Sequence, residues 1–126
     1  MSTKTSSRLC TLLSAAALGL AALGSAQAAD LHNGQTLVAQ HGCMGCHGAG
    51  LDKPVSPTYP ILAGQPESYL FHALQQYQAA HQTPIYGRDN AIMGGMVATL
   101  STQDLHDIAA YIASLPTPLY APDMTH

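Results

Sequence analysis

Basic residues are scarce in this sequence: Lys and Arg together number 4 among 126 residues, and charged side chains make up 9% of the chain. Two of the four, Lys4 and Arg8, stand at the extreme N-terminus, so only Lys53 and Arg88 lie beyond residue 28. Nucleic acid and anionic membrane surfaces both call for clusters of Lys and Arg, and neither is a partner that this composition supports. Alternating apolar and polar runs of strand length are also missing, which leaves helices as the building elements. No internal repeat occurs. A continuous apolar run long enough to cross a membrane is missing too: the stretch from Leu9 to Gly24 is interrupted by Thr11 and Ser14, short of the roughly 20 apolar residues a spanning helix needs.

What the first residues do contain is an export signal. Lys4 and Arg8 form a positive region, Leu9 to Gly24 is rich in Leu and Ala, and Ala26-Gln27-Ala28 fits the small-x-small rule for cleavage. Residues 1–28 are therefore expected to be a cleaved signal peptide, and residues 29–126 a single domain of 98 residues. Cys10 would leave with the signal. The remaining part sets Lys53 and Arg88 against seven carboxylates, Asp30, Asp52, Glu67, Asp89, Asp104, Asp107 and Asp123, for a net charge of −5. Such a surface favours a basic docking site.

The two cysteines that remain lie in Cys43-Met44-Gly45-Cys46-His47. Two thiols three apart with a histidine directly after them are what covalent haem attachment of the c type requires: the thiols add across two vinyl groups, and the imidazole becomes an axial ligand. Other chemistries use a C-x-x-C pair. A disulfide is one for an exported chain. A zinc centre would need further paired ligands, whereas His32, His41, His72, His81, His106 and His126 are scattered singly. A thioredoxin-like dithiol needs strands alternating with helices.

The surrounding chain divides into helices and loops. Leu31, Gly34, Leu37, Val38 and His41 fall at helical spacing, with Gly34 at a position where a close neighbour would explain the missing side chain. Residues 48–60 hold too much glycine and proline for a helix, and the carbonyl of Pro60 is placed to accept the Nδ1 proton of His47. Pro66 and Glu67 open a helix expected to run to residue 80 or 81, with Leu70, Leu74 and Tyr77 on one face. Residues 82–99 show no sustained period and are expected to form a loop carrying two thioethers, Met93 and Met96. Arg88, its only cation, reads either as a partner for a haem propionate or as a solvated charge. Ser101 and Asp104 form a capping-box pattern ahead of the Leu105, Ile108, Ala109 and Ile112 stripe, and Pro116 and Pro118 end that helix.

Helix, C-x-x-C-H, proline loop, helix, methionine segment and capped last helix, taken in that order, resemble the class I c-type cytochromes. The stretch from Tyr59 to Gln65, Tyr69-Leu70, and Leu100-Ser101 leading into Ala109-Ala110-Tyr111-Ile112 are similar to a single domain of the bacterial cytochromes of the c-four type. The resemblance implies an all-α fold of three to four helices around one haem c held by Cys43 and Cys46. It further implies that Gly34 crosses the last helix near Tyr111, that Pro60 buttresses His47, and that a methionine ligates the iron opposite His47. In the similar domains the ligand lies eight residues before the serine that caps the last helix, which selects Met93 over Met96. The expected protein is a periplasmic one-electron carrier and not an enzyme, a monomer exchanging electrons with respiratory, dehydrogenase or oxidase partners. A dedicated cytochrome subunit of a larger oxidoreductase is the alternative. One departure from the c-four pattern is the single haem motif, which excludes a two-haem relay within the chain.

Overall fold

The computed structural model describes residues 27–82 and 87–118. The expected signal peptide therefore lies almost wholly outside the described residues, as does the tail from residue 119. Among the described residues every regular element is a helix: α1 Leu31–Gln40, α2 Met44–His47, α3 Glu67–Gln82, α4 Ala91–Val97 and α5 Thr102–Ala113. This is the all-α architecture that the sequence predicts, with α2 and α4 as short additions to the three longer helices.

Local chemistry explains each boundary. Asp30 caps α1, accepting the backbone N–H groups of His32 at 2.9 Å and Asn33 at 3.1 Å. Ser101 and Asp104 form the full reciprocal box at the start of α5, with Asp104 N–H donating to Ser101 Oγ at 3.1 Å and Ser101 N–H donating to Asp104 Oδ2 at 2.9 Å. Glu67 opens α3 one residue after Pro66, whose carbonyl accepts the N–H of Leu70 at 3.1 Å. The methionine region corrects an expectation. Residues 91–97 form helix α4 and not a loop, because Asn90 caps them with its side chain on Met93 N–H at 2.9 Å. Its glycine pair hides the helical period from sequence inspection.

Helix α5 is the spine, packed by α1 on one side and α3 on another, while α3 also carries α4. Leu105, Ile108, Ala109 and Ile112 of α5 are buried with Val38, Leu51, Ala63, Leu70, Val97 and Leu100. Burying a side chain of this size stabilises by about 1.5–3 kcal/mol. Phe71 of α3 stacks on His106 of α5, with ring centroids 3.8 Å apart and planes 20° from parallel. No described helix is long and apolar enough to cross a membrane.

The α1–α5 crossing depends on Gly34. A Cβ there would collide with the carbonyl oxygen of Asp107 and stand 2.8 Å from Cβ of Tyr111, so only hydrogen lets the two backbones meet. This is the close approach expected at Gly34. The same crossing is tied by a buried carboxylate. Asp107, 2% exposed, accepts Asp30 N–H at 2.8 Å, Asn33 Nδ2 at 2.7 Å and Gln103 Nε2 at 2.8 Å. Burial alone would raise its pKa, but the donors from Asn33, Asp30 and Gln103, helped by nearby His106, bring it below the ordinary aspartate value.

Gly34→Ala is expected to lower the unfolding free energy by about 1–3 kcal/mol in chemical denaturation despite alanine's better helix propensity, because backbone has no room to yield. Asp107→Ala should cost about 3 kcal/mol by leaving three donors unpaired. Because the folded Asp107 carboxyl sits below its unfolded value, its stabilisation is complete above the ordinary aspartate pKa and disappears as pH falls through the depressed folded value. Denaturation curves recorded across the acid range should therefore show a shallower pH dependence in Asp107→Asn than in the parent.

Candidate haem attachment site

The end of α1 delivers the chain to the cysteine motif. The N–H of Cys43 donates to Val38 O at 3.2 Å, and Gly42, at φ +64°, turns the backbone out of α1. One helical turn, α2, then follows, with His47 N–H donating to Cys43 O at 3.1 Å. Residues four apart on such a turn are neighbours on one face, so Cys43 and His47 are presented together with Cys46 beside them. Both thiols are free and half-buried. Burial chiefly raises the Cys43 pKa, against a backbone hydrogen bond that lowers it, with neighbouring Cys46 adding to the rise.

His47 is 5% exposed. Its Nδ1 donates to the carbonyl oxygen of Pro60 at 2.9 Å, and because a carbonyl only accepts, the proton is on Nδ1 and Nε2 carries the free lone pair. This is the buttress expected from Pro60. Tyr59 stands edge-on to the ring, with centroids 6.1 Å apart.

Leu51 anchors the loop that brings Pro60 to this position, a role that nothing in its sequence context signals. It is 1% exposed and holds φ at +57°, a left-handed conformation that costs an ordinary side chain about 1–2 kcal/mol. Its N–H donates to Gly48 O at 3.0 Å, and its carbonyl accepts Leu62 N–H at 2.9 Å and Ala63 N–H at 3.0 Å. Gly48, directly after His47, is thereby linked through Leu51 to Leu62 and Ala63, just beyond Pro60. Val55 N–H adds a bond to Cys46 O at 3.1 Å.

Met93 and Met96 are both half-buried on α4, three residues apart and so on one side of it. Arg88 lies against the surface of α3. Its Nε donates to Gln76 Oε1 at 2.9 Å, and its guanidinium carbon lies 5.3 Å from the Tyr69 ring centroid and 5.8 Å from that of Tyr77.

The donor set fits a covalently held haem: two free thiols, an imidazole with its lone pair on Nε2, and thioethers on a separate element. Cys43 packs against the apolar core, as do half-buried Leu37, Leu62, Leu74 and Tyr77, surroundings of the kind that a large apolar group requires. Zinc chemistry finds no such support, since no group of three or more His, Cys, Asp or Glu side chains converges among the described residues.

Comparison with known proteins agrees with the geometry. The cytochrome c family model matches residues 31–116. Cytochrome c4 of Stutzerimonas stutzeri is 45% identical over 102 residues, a match covering 77% of this chain and 47% of that protein. A thiosulfate dehydrogenase electron acceptor of Thiomonas intermedia (strain K12) is 37% identical over 73 residues, 58% of this chain and 31% of the relative. The crystal structure of reduced recombinant cytochrome c4 from Pseudomonas stutzeri superposes with a TM-score of 0.64 at 41% identity, covering 71% of this chain and 47% of that one. The chain thus spans about half the length of the cytochrome c4 relatives it matches. With the C-x-x-C-H turn, the imidazole and the helical frame all in place, this chain belongs to the cytochrome c family, electron-transfer proteins that carry covalently bound haem c.

Proposed function

We propose that the protein is a periplasmic one-electron carrier in which Cys43 and Cys46 hold the haem and His47 and Met93 ligate its iron. The haem supplies a ferric–ferrous couple when bound. The observation that carries this reading is the buried His47 ring, whose Nδ1–H on Pro60 O at 2.9 Å leaves Nε2 as the free donor and prevents the ring from turning. The loop tied at Leu51 keeps that carbonyl in place through both oxidation states, so little has to reorganise when an electron moves. A thioether opposite the imidazole favours the ferrous state and raises the potential relative to two nitrogen ligands.

Export supports the periplasmic assignment: Lys4, Arg8, the Leu9–Gly24 run and Ala26-Gln27-Ala28 form a signal-peptide pattern with cleavage after Ala28. Removal of residues 1–28 leaves the charge of −5, which selects a redox partner with a basic docking face. A second reading, a dedicated cytochrome serving one oxidoreductase, is favoured by the relative named as a thiosulfate dehydrogenase electron acceptor. Isolation from the periplasm separates the two: a free carrier elutes at the size of one chain with Ala29 as its N-terminus, and a dedicated subunit elutes in a larger haem-containing complex.

The ligand assignment has a direct spectroscopic test. The ferric protein should show the weak far-red charge-transfer band of sulfur-ligated haem, the band should vanish in Met93→Ala, and it should survive in Met96→Ala. The reverse pattern would move the ligand to Met96. Rapid carbon monoxide binding by the unmodified ferrous protein at neutral pH would overturn the carrier reading, since a six-coordinate iron offers no open position.

A further inference from the structure

Two glutamines of α3 grip the methionine-bearing segment at its two ends. Gln78, half-buried, donates from Nε2 to the carbonyl oxygens of Val97 at 3.0 Å and Leu100 at 2.7 Å. Val97 is the last residue of α4, so its carbonyl has no partner of its own within the helix. Leu100 directly precedes Ser101, the cap of α5. One side-chain amide therefore closes α4 and fixes where α5 begins.

Gln76 holds the other end. Its backbone carbonyl accepts Arg88 N–H at 3.3 Å, and its Oε1 accepts Arg88 Nε at 2.9 Å. Gly87 lies against the same carbonyl: its φ is +94°, and a Cβ would collide with Gln76 O. Arg88 also donates from an Nη to the Tyr69 hydroxyl at 3.4 Å, completing a clasp on the surface of α3. Between these two grips stands α4, a helix of 7 residues. A helix that short has almost no stability of its own, and its position is decided by whatever holds its ends.

We propose that Gln78, together with the Gln76–Arg88 clasp, positions the distal ligand, setting how firmly the methionine of α4 is held at the iron. The proposal rests on the reading that α4 supplies that ligand. It requires only that the ligand be on α4, since Met93 and Met96 share this element. Without the Gln78 amide the Val97 carbonyl keeps only its turn bond from Leu100 N–H at 3.1 Å and the Leu100 carbonyl loses this donor, so states in which α4 stands away from the core become more populated. A competing ligand then captures the iron more readily, by the fraction of time the thioether is away.

The test uses the ferric holoprotein titrated with free imidazole, following loss of the far-red sulfur band, with chemical unfolding measured alongside. Gln78→Ala should retain the band without imidazole and lose half of it at an imidazole concentration about tenfold lower than the parent, the scale expected for two lost hydrogen bonds. Gln78→Glu, which keeps the length and removes the donor, should shift in the same direction. Gln76→Ala should shift the midpoint about threefold, in line with one side-chain bond. Asn33→Ala, which weakens the distant α1–α5 crossing, serves as the stability control and should leave the imidazole midpoint unmoved. Unchanged midpoints in both Gln78 variants, or an equal shift in Asn33→Ala, would overturn the proposal. A parent protein with no sulfur band would instead overturn the ligation reading itself, a result that an unmoved midpoint cannot imitate.

Discussion

The contact on which the rest of the molecule depends is the meeting of two backbones at Gly34 and Asp107. Helix α1 feeds straight into Cys43, and α5 is the element against which both α1 and α3 are packed. Their mutual distance therefore determines where the cysteine turn stands relative to the core. Hydrogen in place of a side chain at Gly34 permits the approach, and the Asp107 carboxylate, with donors from Asp30, Asn33 and Gln103, ties it. A buried charge is tolerated here because each donor returns part of the hydration it has lost.

From that crossing the site is assembled in two halves with different physics. The proximal half is a continuous stretch of chain: the cysteine turn, the loop closed at Leu51 and the Pro60 carbonyl on His47 all lie within residues 43–63. Its geometry is made mostly of backbone hydrogen bonds, which leave little freedom. The other half is α4, a short helix held from outside by side chains of α3. Under the proposed ligation the contrast suits the task, since the cysteine turn and its imidazole would anchor the cofactor while a thioether from α4 would adjust the potential.

The parts of this architecture that can be read in the sequence are those made by neighbours along the chain. The C-x-x-C-H turn, the Ser101–Asp104 box, the glycine at 34 and the proline stops after α5 each follow from residue type and spacing within a few positions. The haem-attachment motif and the proposed export signal belong to the same class, because the machineries that read such signals recognise short linear patterns. Helix α4 escaped this reading because Gly94 and Gly95 weaken its local signal, and its formation rests on Asn90 and Gln78.

What tertiary structure alone decided is which polar side chains meet across the fold. Asp107 looks like any acid on a helix, Gln76 and Gln78 like ordinary helix-surface amides, and Leu51 like a loop leucine. Besides the local bonds of Asp107 with Gln103 and of Leu51 with Gly48, their partners lie 11 to 77 residues away in the chain. Arg88 follows the same principle, since the fold placed it on Tyr69, Tyr77 and Gln76, contacts that its charge alone does not specify. Sequence by itself determined the cofactor chemistry and the helical frame, because both depend on local spacing. The hold on the His47 ring and on α4 was decided only when the chain closed on itself, because a hydrogen bond between distant residues leaves no periodic trace in either segment.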